Sequence, residues 1–80
     1  MTINNAVAKR INDLLRIKGI TVYRLEKNAG LVHGTVDRIL NGLNKTVTFT
    51  TIFKLARGFN MDIYEFLNDD VFRSELIEID

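Results

Sequence analysis

The chain has 80 residues, a net charge of +1, a hydrophobic fraction of 46% and a charged fraction of 26%. That length supports one small domain with a single core. It contains no Cys, one His and one Ser, which excludes a disulfide framework, leaves no ligand set for a structural zinc and nearly empties the inventory of a Ser/His or Cys/His hydrolase.

The longest apolar run, residues 6–8, falls far short of the roughly 20 residues that span a bilayer. Residues 1–20 lack the continuous apolar stretch of a secretory signal. The expectation is a cytoplasmic, non-enzymatic domain without cofactor, metal or small-molecule substrate, acting through surface side chains.

The first segment places Val7, Ile11, Leu14 and Leu15 at i, i+4, i+7 and i+8, one face of a helix. Gly19 is its left-handed cap. Thr21 can cap a second helix with Val22, Leu25 and Ala29 on one side, and Gly30 breaks it. A third helix is predicted from about Val32 to Asn41, ending at Gly42, with Val36, Ile39 and Leu40 inward. Residues 43–47 read as a polar loop. Thr48 caps a fourth helix whose inward positions are Phe49, Ile52, Phe53 and Ala56. Asn60 tolerates the left-handed conformation and ends it. Asp62 and Glu65 form a capping-box start for a fifth helix, with Ile63, Phe66 and Leu67 inward. Nothing alternates as a surface strand does, so the fold class is all-α, five short helices around one core.

The chain divides into a domain at 1–68 and an acidic, partly apolar extension at 69–80. In the extension Val71, Phe72, Leu76, Ile77 and Ile79 fit neither a clean helix nor a clean strand. They either fold back on the domain or cover a second copy. Charge divides in the same sense. Residues 1–57 carry ten Lys/Arg against three acids, and residues 58–80 carry one against seven. A basic body with an acidic end is consistent with one face for a polyanion, and equally with an unevenly charged solvated surface.

Residues 22–41, VYRLEKNAGLVHGTVDRILN, carry the most information. Leu25 and Ala29 lie before a tight turn at Gly30, and Leu31, Val36 and Ile39 lie after it. That spacing lets two short helices cross steeply over a shared core, the geometry of a helix-turn-helix. On these residues the chain resembles the phage-repressor (Cro/cI-like, XRE-type) family over roughly residues 5–68. Leu25, Gly30, Leu31, Val36, Ile39 and Gly42 stand at the family's positions. So do the segments Thr51-Ile52-Phe53-Lys54-Leu55-Ala56 and Met61-Asp62-Ile63-Tyr64-Glu65-Phe66-Leu67. Three positions depart from the family. Glu26 replaces a usual Ala, and its carboxylate must reach solvent or a basic partner. Val22 replaces a usual Gln that meets a phosphate. Val32 replaces a usual Ser or Thr cap.

The resemblance implies a five-helix, lambda-repressor-like domain that binds double-stranded DNA as a transcriptional regulator, most often a repressor. The third helix would enter the major groove, and a homodimer would read two half-sites. The recognition face is expected to show His33, Gly34, Thr35, Asp37, Arg38 and Asn41. Arg38 suits the O6 and N7 acceptors of guanine. Asp37 could accept from cytosine N4, orient Arg38 or pair with His33 one turn earlier, or simply be solvated. Asn41 could reach adenine or a phosphate, or only shape the helix exit. His33 opens the helix toward a base or phosphate, or is inert. Gly34 lets the duplex approach closely or is merely tolerated. Phosphate contacts are expected from the backbone of Thr21, Val22 and Tyr23 at the second helix N-terminus and from Asn44, Lys45 and Thr46. The alternative is an antitoxin-like or phage-encoded module that binds a protein partner through its C-terminal extension.

Overall fold

The computed structural model describes residues 1–44, 46–73, 77 and 78. Among the described residues five α-helices follow one another: α1 (Ile3–Lys18), α2 (Val22–Ala29), α3 (Thr35–Leu40), α4 (Phe49–Gly58) and α5 (Ile63–Leu67). A 3₁₀ turn at Asp70–Phe72 follows. Among the described residues there is no strand, only an isolated parallel bridge between Thr2 and Glu78.

Local sequence explains the helix ends. Thr2 and Asn5 form a reciprocal capping box at α1, and Asp62 and Glu65 form another at α5. The hydroxyls of Thr21 and Thr48 accept the N–H groups of Arg24 and Thr51, starting α2 and α4. Asn60 takes φ +60° between α4 and α5, so the turn there is made without glycine.

The core joins Val7, Ile11 and Leu14 of α1, Leu25 of α2, Val36 and Ile39 of α3, Leu55 and Ala56 of α4, and Phe59 and Phe66. α2 and α4 approach closely at Gly58. A Cβ built there would lie 2.8 Å from both Ala29 Cβ and Leu25 Cδ1.

Two expectations are corrected. Phe49 and Phe53 do not point inward: they are 62% and 38% exposed and stack edge-to-face, with centroids 5.0 Å apart. α4 turns its Leu55–Ala56 side to the core, with Ile52 half-buried. The third helix begins at Thr35, not Val32, because Gly34 has φ +94°, which no helical residue adopts.

The chain after α5 lies against α1. Phe72 is half-buried, 6.2 Å from the Phe66 ring, and the Glu78 N–H donates to the Met1 carbonyl at 2.7 Å. Leu76 and Ile79 of the extension lie outside the described residues. The anchor here is Arg10, 9% exposed on α1. Its Nε donates to the Phe66 carbonyl at 2.8 Å, Nη2 to the Glu65 carbonyl at 2.9 Å, and Nη1 to Asp69 Oδ2 at 3.2 Å. α5 ends without a left-handed cap residue, so its last carbonyls are satisfied by a side chain from another helix.

Candidate nucleic-acid interface

α2 closes at Gly30 (φ +70°), where the Leu31 N–H donates to the Glu26 carbonyl at 2.9 Å. The chain then turns through residues 31–34, with the Thr35 N–H donating to the Val32 carbonyl at 3.0 Å. Gly34 caps α3 but has no side chain to offer. The missing cap comes from α2: Glu26 Oε2 accepts the Val36 N–H at 2.9 Å. Glu26 is 3% exposed. Of the two expected fates, solvent or a basic partner, solvent is therefore corrected; the basic side chain beside it is His33, and a backbone N–H takes its other oxygen. A buried acid at the first turn of a helix finds a backbone donor and the positive end of the helix dipole, which offset its lost hydration.

Glu26 thus ties the two halves of the motif together, α2 to the first turn of α3. Val36 and Ile39 plug α3 into the core from below. Its opposite side carries Asp37 and Arg38, both exposed, with Asn41 exposed just past its end. Among the described residues neither Asp37 nor Arg38 makes an ion pair. The Arg38 guanidinium instead leans back over the helix start: Nη2 lies 3.5 Å from Thr35 Oγ1, and Nη1 is 3.4 Å from where a Gly34 Cβ would stand. Asn41 closes α3, its N–H donating to the Asp37 carbonyl at 2.9 Å, and Gly42 (φ +70°) turns the chain away.

His33 sits on the turn, not on α3. An i, i+4 pair with Asp37 is therefore not formed, because the left-handed Gly34 breaks the helical register between them. Its imidazole is 84% exposed, with Nδ1 3.4 Å from Glu26 Oε1.

The flanking residues are placed as follows. Thr21 is committed to capping α2, and Tyr23 is 63% exposed. Val22 is half-buried against the core. The N–H groups of Val22 and Tyr23, in the first helical turn, have no intrahelical acceptor. Tyr23 also stacks under Lys27, whose Nζ is 5.9 Å from the ring centroid. On the far side of α3, Asn44 is half-buried and its carbonyl accepts from Asn4 Nδ2 at 2.9 Å, while Thr46 is exposed. Lys45 lies outside the described residues. Thr48 caps α4.

Glu26 and Arg10 are the residues that sequence reasoning underrated. A signal existed for Glu26, a charged residue within the apolar stripe of Val22, Leu25 and Ala29. None existed for Arg10, whose partners, two backbone carbonyls and the Asp69 carboxylate, lie 55 to 59 residues away.

Among the described residues no helix is long and apolar enough to cross a membrane. No group of three or more His, Asp or Glu side chains among them could hold a metal ion. α2, a tight turn and a short α3 exposed on its outer side, carried on an all-helical support, have the arrangement of a helix-turn-helix DNA-binding domain. The model of the Cro/C1-type HTH DNA-binding domain matches residues 10–70, and the chain belongs to that family. No curated protein and no solved structure shows significant similarity to it.

Proposed function

We propose that the protein is a sequence-specific transcriptional regulator, acting as a repressor in the cytoplasm by occupying double-stranded DNA. α3 and the turn before it enter the major groove. The single observation that supports this reading most is the outer side of α3. It is exposed, and Asp37 and Arg38 form no ion pair among the described residues, in a family that binds DNA. Arg38 reads guanine, and Asp37 penalises wrong sequences by repelling phosphates and accepting only from an amine. His33 and Asn41 complete the face, with Gly34 and Thr35 letting the duplex approach. The N–H groups of Val22 and Tyr23 beside Thr21, together with Asn44, Lys45 and Thr46, hold the flanking phosphates. One such motif reads only a few base pairs, so the protein binds as a homodimer on two half-sites about one helical turn apart.

The test is selection from random duplex DNA at moderate salt, with Arg38→Ala run in parallel. A two-fold symmetric motif that loses a guanine in the variant supports the reading. Absence of any enriched motif defeats it. A second reading, a module for a protein partner, draws on the exposed Phe49–Phe53 pair flanked by Lys54 and Arg57. Absence of DNA selection together with capture of a partner lost in Phe49→Ala would favour it.

A further inference from the structure

Glu26 has two carboxylate oxygens, and only Oε2 has a task. Oε1 is buried and takes no hydrogen bond among the described residues. A buried carboxylate oxygen without a donor is costly, and such a group persists where a partner is close at hand. That partner is the imidazole of His33, whose Nδ1 lies 3.4 Å from Oε1. The two residues share a shallow hollow of about 230 Å³ with Tyr23, Lys27 and Leu31, on the side where α2 meets the turn. Oε1 can only accept, so a hydrogen bond between the two requires the proton on Nδ1. A neutral imidazole protonated at Nδ1 has a bare lone pair on Nε2.

We propose that Glu26 is a positioning residue that fixes the His33 tautomer, so that Nε2 reads an exocyclic amine in the major groove. The ligand class is a base-edge donor, adenine N6 or cytosine N4; guanine O6 and thymine O4 are acceptors and are refused. This deepens the DNA-reading proposal above and rests on it. The exposed position of His33, 84% accessible on the turn beside the outer side of α3, leaves Nε2 free to make that contact. The left-handed Gly34 that follows permits the turn that carries it.

The substitution Glu26→Gln tests the idea because it preserves the cap and reverses the instruction. The Gln carbonyl oxygen still accepts from the Val36 N–H. Its amide N–H₂ then faces Nδ1 as a donor, which moves the imidazole proton to Nε2. His33 then offers a donor where it offered an acceptor. Two readouts follow. The first is ¹⁵N NMR of the imidazole in the free protein, at a pH where the ring carries a single proton. It is expected to show the Nδ1–H form in the wild type and the Nε2–H form in Glu26→Gln. The second is selection from random duplex DNA with the wild type, Glu26→Gln and His33→Ala. One position per half-site should prefer adenine or cytosine in the wild type. It should turn by roughly ten-fold toward guanine or thymine in Glu26→Gln, and lose its preference in His33→Ala.

A merely structural Glu26 would alter melting temperature and overall affinity but not the base chosen at one position. A wild-type ring protonated at Nε2, or without tautomer preference, overturns the assignment even if Glu26→Gln fails to fold. An unchanged motif in a folded Glu26→Gln overturns it as well. If the wild type shows the Nδ1–H form but selects no DNA motif, the DNA-reading proposal fails instead, and the two failures are told apart.

Discussion

Glu26 of α2 accepts the N–H of Val36 of α3 at 2.9 Å, from a carboxylate that is 3% exposed. Gly34, at the N-cap of α3, lacks a side chain, and Val32 is exposed and apolar, so neither can do this. Removing the carboxylate leaves a buried donor unmet and a gap between the helices. Glu26→Ala is expected to cost about 1–3 kcal/mol. In a domain of this size that lowers the melting temperature by roughly 4–8 °C per kcal/mol. Glu26→Gln keeps the acceptor and should lose less than half as much. Thermal unfolding of the two variants side by side checks the order. Equal melting temperatures for Ala and wild type would remove the cap from the account.

Arg10 clamps the end of α5 through two carbonyls and Asp69. Arg10→Ala leaves those acceptors unpaired and is expected to cost roughly 2–4 kcal/mol. Arg10→Lys should rescue little, because an ammonium cannot reach three divergent acceptors as the planar guanidinium does. Urea unfolding measures both. A Lys variant as stable as the wild type would show that charge, not the fork, is what matters here.

Gly58 lies on α4, where a Cβ would stand 2.8 Å from Ala29 Cβ and Leu25 Cδ1 and 3.0 Å from the Leu25 carbonyl. Ala is the better helix former by about 1 kcal/mol. Overpacking against a neighbouring backbone costs about 1–3 kcal/mol. The steric effect is the larger, so Gly58→Ala should be net destabilising by about 1 kcal/mol, read as an earlier urea midpoint. A stabilised variant would mean that α2 and α4 separate without penalty.

Asp13 accepts a hydrogen bond from Lys9 one turn earlier, at 2.9 Å, and this bond, with the nearby charges of Lys9, Arg16 and Arg10, holds its carboxyl below the usual carboxylate range. A carboxylate whose pKa is lower folded than unfolded stabilises the fold above the unfolded value, and that contribution is lost as pH falls through the folded value. The pair is exposed at Lys9 and belongs to the i, i+4 class, worth about 0.2–0.5 kcal/mol. Lys9→Ala should therefore lower stability slightly at neutral pH and not at all in strong acid. Melting curves at both ends of that range decide it. A difference that persists in acid would point to lost packing of the Lys9 stem.

Periodicity, caps and turn glycines are local properties, legible from neighbouring residues alone. Val7, Ile11 and Leu14 face the core as their spacing requires. Thr21, Thr48 and the Asp62–Glu65 pair start their helices. The family resemblance on residues 22–41 carried the helix-turn-helix, because that motif is written in one contiguous segment. Which side of α4 is inner depended on packing between helices. Phe49 and Phe53 follow a helical period as well as Leu55 and Ala56 do, and the choice falls to whichever stripe meets α2 closely at Gly58. Tertiary placement likewise decided the start of α3, since a left-handed Gly34 is a tolerable helical residue by composition and an impossible one by φ. The partners of Glu26 and Arg10 were illegible for one physical reason. Each satisfies backbone groups of a different element, and a backbone N–H or carbonyl carries no sequence signature until the chain has folded and brought it within 3 Å.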